Sequence, residues 1–453
     1  MPSWPRLLPL SAALLAALAL PARGQSLIVL YESARDYDAV YLGARAQYDA
    51  SVARAAQARA GILPAVSLTA GASRSDLDIT VTQGGGLGSG PRDFSTQNVG
   101  INATQPLYRP ANRATWQQGK LQAEQARAVL TSAGQDLIVR VSQAYFDVLA
   151  SQDTVALVRA QKAAIVQQLA SARRNFEVGT ATITDSREAQ ARYDLVVAQE
   201  IAAENDLAVK KLSLDQLVGH PGSVPIPLAL PVVLPALAPA DIQAWVAQAE
   251  DVHPAIRQAR LGLDVASLEV EKAEAGHKPT LDASLGYNVT RNPNGTSLTT
   301  VGTRVKAASI GVVFNLPLFA GFATENRVKE TLALEDQSKQ LLESTRRSVS
   351  QATRTAYLGL VSGAAQVKAL EAAEASSQSA LDANRLGYQV GVRINIDVLN
   401  AQSQLYQTQR DLAQARYNVL MGNLRLRQAS GTLAPEDLQV INSTLASPGS
   451  GRP

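Results

Sequence analysis

The chain has 453 residues and no cysteine; 18% of its residues are charged, 5% are aromatic, and 42 Lys+Arg stand against 39 Asp+Glu. The lack of cysteine excludes disulfides, a thiolate nucleophile and a lipidated cysteine at a mature N-terminus. Two of the cations, Arg6 and Arg23, lie in a leader; without them 40 Lys+Arg face 39 Asp+Glu, which leaves no basic footprint for nucleic acid.

In that leader Arg6 forms a short basic region, Leu7 to Leu20 an apolar stretch, and Ala22-Arg23-Gly24 a small-x-small cleavage site, so residues 1–24 read as a signal peptide. No later window approaches 18 consecutive apolar residues, the least that a membrane-spanning helix needs. If the mature chain crosses a membrane, it must do so as a closed β-barrel.

From Leu27 to Ile62 the apolar spacing is helical, and Pro64 stops it. At Ala65 the period changes to two: Val66, Leu68, Ala70 and Ala72 alternate with Ser67, Thr69, Gly71 and Ser73, which predicts a strand over about 65–77. Gly84-Gly85-Gly86, Gly88 and Gly90-Pro91 mark a loop, and Val99, Ile101 and Ala103 resume the alternation in a second strand over about 97–107. Pro110 opens a helix reaching about residue 177. That is about 100 Å of helix, wider than any compact domain. A turn and a returning helix from Thr184 to Val218 follow, and then residues 219–239, whose six prolines predict an extended connector.

The second half repeats this order over residues 240–430: a helix over 240–275, strands over about 280–290 and 306–319, a long helix over about 322–387, and a returning helix from Asn395 to Ala429. In the last helix Leu399, Tyr406, Ala413 and Leu420 recur every seven residues, the spacing of left-handed coiled packing. The tail, 431–453, is polar with Gly, Ser and Pro and is expected to be ordered only in part. The two halves, 25–218 and 240–430, form a tandem duplication. Phe176-Glu177-Val178-Gly179 through Asp185 returns 212 residues later as Tyr388-Gln389-Val390-Gly391 through Asp397, and the same offset links Ala144-Tyr145 to Ala356-Tyr357. Each Gly suits a helix end and each Asp the start of the next helix, so each half carries a helical hairpin.

Four strands of about ten residues, each with one apolar and one polar face, suit lipid outside and water inside. Four strands cannot close, and an open edge in lipid leaves peptide groups unpaired at several kcal/mol each. The wall must be completed by other copies, and three copies supply twelve strands. The competing possibility is a small soluble sandwich.

Little other chemistry is visible. His220, His253 and His277 have no acidic ligand spacing nearby, so no metal and no cofactor is expected. Gly84 to Gly90 lacks the Lys-Ser/Thr ending of a phosphate loop, and no nucleophile elbow accompanies any serine. No enzymatic activity is expected.

Along its whole mature length the chain resembles the TolC family of outer-membrane efflux proteins. The marks are the Leu63-Pro64 and Lys278-Pro279 junctions, the Gln105-Pro106-Leu107-Tyr108 and Leu316-Pro317-Leu318-Phe319 junctions, the Ala-Tyr pairs, the two Val-Gly tips, and Ala415-Arg416-Tyr417-Asn418. The resemblance implies a mainly α protein with transmembrane β-structure. Its homotrimer would have a twelve-stranded outer-membrane β-barrel continuous with a long periplasmic α-helical barrel. The absence of a cysteine after the leader is similar to the non-lipidated branch. The implied function is a passive exit duct for drugs or polypeptides in the outer membrane of a Gram-negative bacterium, within a tripartite efflux or type I secretion system. The implied partners are outer-membrane lipid, a periplasmic adaptor and an inner-membrane pump of ABC, RND or MFS type. The alternative is a barrel-anchored structural or adhesive coiled-coil protein without transport.

By the same resemblance Asp397 lines the pore constriction, with Asn400 one turn later where many relatives have a second Asp. The gate contacts are Thr184 and Asp185 on the first tip and Tyr388 and Arg393 on the second, with Arg393 expected to donate to Asp185 and Tyr388 to reach Thr184. The adaptor would meet Val178, Gly179 and Thr180 and their counterparts Val390, Gly391 and Val392. A plainer role for Asp185 and Asp397, favouring a helix N-terminus, stands beside this.

Overall fold

The structure is a computed structural model that describes residues 24–80, 90–229, 231–235 and 237–446. The leader before Gly24, the glycine loop at 84–88 and residues 447–453 lie outside the described residues. In chain order the elements are α1 (Leu27–Tyr37), α2 (Ala39–Arg59), β1 (Ala65–Ile79), β2 (Gly90–Tyr108), α3 (Pro110–Glu177) and α4 (Ile183–Val218). Then come α5 (Ile242–Val252), α6 (Pro254–Glu274), β3 (Thr280–Asn292), β4 (Thr303–Asn315), α7 (Ala323–Gln389), α8 (Asn395–Ala429) and α9 (Asp437–Asn442).

Both expected leading helices are broken. Asp38 ends α1 and turns its carboxylate to accept from the Tyr41 N–H at 2.8 Å. Pro254, which has no N–H to give, separates α5 from α6. The fourth strand stops at Asn315 rather than 319, because Pro317 cannot donate to a ladder and the chain then turns at Gly321 and Phe322, both at positive φ.

The chain divides into two compact units: residues 46–128 with 257–345, and residues 1–45, 129–256 and 346–453. The first holds one antiparallel sheet in the order β1-β2-β3-β4. Its register aligns the apolar residues across all four strands: Leu68 faces Ile101, Ile101 faces Tyr287, Val66 faces Ala103, Ala103 faces Leu285 and Leu285 faces Ile310. This face is bare, with Leu68 70% and Ile310 83% exposed. A soluble sandwich would bury it. The other face carries Ser67, Asn102, Gly286 and Ser309 in one row and Thr69, Gly100 and Asn288 in the next. At Gly100 a Cβ would lie 1.8 Å from the Asn288 Oδ1, so any larger residue there would have to turn that side chain aside. β1 and β4 are edges, each paired on one side only among the described residues.

The second unit has a continuous apolar core in which Leu27, Leu30 and Tyr31 of α1 meet Tyr145 and Phe146 of α3, Leu214 of α4, and Leu420 and Leu424 of α8. The connector is stitched into it. Gln25 and Val224–Ile226 exchange backbone bonds, Ala229 N–H donates to Thr444 O, and the Tyr145 hydroxyl donates to Ile226 O at 2.8 Å. Tyr357, its repeat partner, donates to Ala240 O, so the shared Ala-Tyr mark is a shared anchor for incoming chain. Of the tail, residues 431–446 are described, and Leu433, Leu438, Ile441 and Leu445 are buried in the same core. In the expected heptad row of α8, Leu399 and Leu420 are buried, and a second buried row runs one residue earlier. Val398, Leu405, Leu412 and Val419 are that second row, while Tyr406 and Ala413 are half-buried.

One ion pair in this unit is largely removed from water. The Arg140 guanidinium donates twice to Asp38, at 2.8 and 2.9 Å, and once to Asp136 at 2.7 Å. The Arg140 hydrogen bond, partly opposed by desolvation, holds the Asp38 carboxyl below its ordinary value of 3.8. A lowered folded value means that the stabilisation is present above the ordinary carboxylate range and is lost as pH falls through the lowered value. Asp38→Asn is expected to lower stability by about 2 kcal/mol at neutral pH, the scale of a hydrogen bond to a charged group. Thermal unfolding across a pH series should show the two proteins converging in acid, and a gap that persists there would remove the pair from the explanation.

Candidate functional site

The chain reverses twice, at equivalent places. At the first tip Gly179 has φ 77° and the N–H groups of Thr180 and Ala181 reach back to Asn175 O at 2.8 and 3.1 Å. At the second, Gly391 has φ 80° and the N–H groups of Val392 and Arg393 reach back to Gly387 O at 2.9 and 3.1 Å. Every donor and acceptor is displaced by the repeat offset, so the duplication holds bond by bond. The left-handed Gly lets the chain fold over the spent carbonyls of the helix end. Val178, Val390 and Val392 stand exposed on these turns, beside Gly179, Thr180 and Gly391.

The helices that leave the tips start differently. Thr182 caps α4 in a reciprocal box: its hydroxyl accepts from the Asp185 N–H, and the Asp185 carboxylate accepts from the Thr182 N–H at 3.0 Å. The equivalent residue in the second copy is Ile394, which cannot cap. Asp397 is thereby freed from its own helix end, and its carboxylate lies 3.6 Å from the Arg393 guanidinium.

This corrects two expected pairings within one chain. Arg393 does not meet Asp185, because the Asp185 carboxylate is held by its own cap; its partner is Asp397. Tyr388 does not meet Thr184, which is exposed; the Tyr388 hydroxyl accepts from Asn175 Nδ2 at 3.3 Å. The Arg393 stem lies over Gly387, where a Cβ would come within 2.7 Å of its Cγ. Asp185, Tyr388 and Arg393 nonetheless flank one cleft of about 810 Å³ between the tips, with Asn175, Thr182 and Asn395. Thr184 is not on its lining.

The residue that ties the tips together escaped the sequence reading. Asn395 is fully buried; its Nδ2 donates to Asp185 O at 3.2 Å and its Oδ1 accepts from Gln168 Nε2. Its repeat counterpart is Ile183, and that of Gln168 is Ala380, so the signal lay in apolar positions of one copy turned polar in the other. One turn past Asp397, Asn400 is exposed, and its Oδ1 accepts from Arg192 Nη2 at 2.8 Å. Among the described residues, no three His, Asp or Glu side chains gather as a metal site.

Burial of a satisfied amide makes Asn395 a specific link whose loss leaves two polar partners bare. Asn395→Leu is expected to cost about 1–3 kcal/mol locally and to speed amide exchange across 176–185 and 387–397. Hydrogen-exchange mass spectrometry checks this, and unchanged protection at both tips would refute the link.

Comparison with known proteins agrees with this architecture. The profile of the family described as outer membrane efflux protein matches residues 30–220 and 245–432. The chain is 33% identical over 441 residues to the outer membrane protein TolC of Vibrio cholerae serotype O1, covering 97% of this chain and 98% of that one. It is 31% identical over 421 residues to the alkaline protease secretion protein AprF of Pseudomonas aeruginosa, covering 92% and 86%. Among solved structures it is similar in fold to the outer membrane protein VceC of Vibrio cholerae, with TM-score 0.74, 20% identity, and 89% and 96% of the two chains covered.

Proposed function

We propose, from the premise that this chain belongs to the outer membrane efflux protein family, that it is the exit duct of an efflux or type I secretion assembly in the outer membrane of a Gram-negative bacterium. The observation that carries this reading is the four-stranded sheet with a bare apolar face and two open edges. Such a sheet is stable in lipid only when further copies pair with both edges, and three copies complete a twelve-stranded wall. Transport is then passive. No enzymatic step is assigned to the chain, and the energy enters through an inner-membrane pump and a periplasmic adaptor.

The tips are the proposed gate. Asp397 lines the constriction with Asn400 beyond it, so each protomer contributes one carboxylate there. Tyr388, accepting from Asn175, links the second tip to the first, while Arg393 pairs with Asp397 within the second tip. Thr184, exposed beside Asp185, is free to meet a neighbouring copy. The adaptor docks at Val178, Gly179 and Thr180 and at Val390, Gly391 and Val392, where apolar side chains and open backbone are presented together.

Planar-bilayer recording on the purified protein tests this. A cation-conducting trimer is expected, with Arg393→Ser plus Tyr388→Phe raising its conductance severalfold and Asp397→Asn lowering its cation preference. No current from either protein would refute the duct, and unchanged current in the double variant would remove those two residues from the gate.

A further inference from the structure

A cleft of about 420 Å³ lies beyond the tips, in the unit that carries them. Gln161 of α3, Arg192 and Gln199 of α4, and Asn400, Gln404 and Arg410 of α8 line it, and no Asp or Glu does. Of the other arginines on these helices, Arg159, Arg416, Arg140 and Arg427 are answered by the carboxylates of Glu204, Glu371, Asp38 and Asp437, whereas Arg173 and Arg425 donate to the amide oxygens of Gln190 and Gln143. Among the described residues neither Arg192 nor Arg410 makes an ion pair. Arg192 donates to the neutral Asn400 Oδ1 and Arg410 to the neutral Gln407 Oε1. The Arg410 Nε is buried with no acceptor. A guanidinium is matched best by the paired oxygens of a carboxylate or phosphate, so two that hold only amide oxygens in an acid-free cleft are poised for an anion.

We propose that the Arg192/Arg410 cleft is an anion site on the wall of the duct, taking carboxylate or phosphate groups of passing solutes and offsetting the charge of Asp397. This rests on the reading of Asp397 as pore-lining. Asn400, Gln404 and Gln407 follow Asp397 by three, seven and ten residues, the spacing of one helix face, so the cleft shares the Asp397 side of α8. Anions passing the constriction then meet Arg192 about one turn beyond the fixed negative charge and Arg410 further along the same helix. The sequence pattern that removes the second carboxylate, Asn at 400, also recruits Arg192.

The test uses the full-length protein in planar bilayers under a potassium chloride gradient, with citrate and inorganic triphosphate as probes. In the unaltered protein both probes are expected to block at low salt. Arg192→Gln with Arg410→Gln should move the reversal potential toward potassium and raise the blocking concentration about tenfold, the factor that one charge-assisted contact supplies. Asn400→Asp, which places a carboxylate on Arg192 without removing it, should act in the same direction. Both shifts should shrink at high salt, as screening requires. Unchanged block and reversal potential in variants that still conduct would overturn the site and leave the duct standing. A lowered dissociation temperature of the oligomer with unchanged block would assign the arginines to pairs between copies and also overturn it. No conductance in the unaltered protein would overturn the duct itself.

Discussion

The peptide groups at the edges of β1 and β4 set the terms for the rest of the molecule. Each edge offers a row of N–H and C=O groups, and the sheet between them bares a mainly apolar face. Water would pair the edges but not cover the face; lipid would cover the face but not pair the edges. Both demands are met only when the sheet is extended by identical sheets until it closes around its polar face. The small side chains of that face, Ser67, Gly100, Gly286 and Ser309, leave room for water in the interior, while Asn288 lies close over Gly100.

A duplicated chain starts with two equal halves, and function appears where they stopped being equal. The Gly179 and Gly391 turns have kept the same geometry because the reversal admits no substitute. The residues around them have diverged in step. Where the first copy has Thr182 the second has Ile394, which leaves Asp397 free of capping; opposite Ala181 stands Arg393, which meets that carboxylate; opposite Ile183 stands Asn395, which crosses to the first tip. The first tip is a conventional helix start. The second has surrendered its cap and placed charge where the cap would have been.

The repeat, the strands and the long helices were legible because each rests on a periodicity. The predicted bounds of α3 and α8 match those found, since Pro110, Gly179, Gly391 and the Ser430-Gly431 turn punctuate them. Legibility failed where a single side chain decides. Nothing in the spacing told that Asp38 would break the first helix to reach Arg140, or that Leu438 and Ile441 would draw a polar tail into the core. The capping box at Thr182 and Asp185 was visible in the sequence as T-x-x-D, and it shows why Asp185 does not serve Arg393 within a chain. Asn395 and Arg192 become visible only when one repeat is laid on the other.

Cohesion within the tip-bearing unit is uneven. The large cluster around Tyr145, Phe146 and Leu424 gathers α1, the connector and the tail, whereas towards the tips the buried apolar residues form two smaller clusters, Leu381, Val398 and Leu405 in one and Val158, Ile165, Leu169, Ala172, Ala189, Val196 and Leu399 in the other. Long helices anchored at one place and thinly packed at another bend where the packing is thin, because local opening costs least where the least apolar surface is buried. Polar links such as Asn395 to Asp185 and Asn175 to Tyr388 join the two tips there, with bonds that water could replace if the proposed gate opens. An apolar seam of the same strength would expose surface on opening and resist it. Hydrogen bonds at the tips and hydrophobic packing away from them are the division of labour that the proposed gate requires.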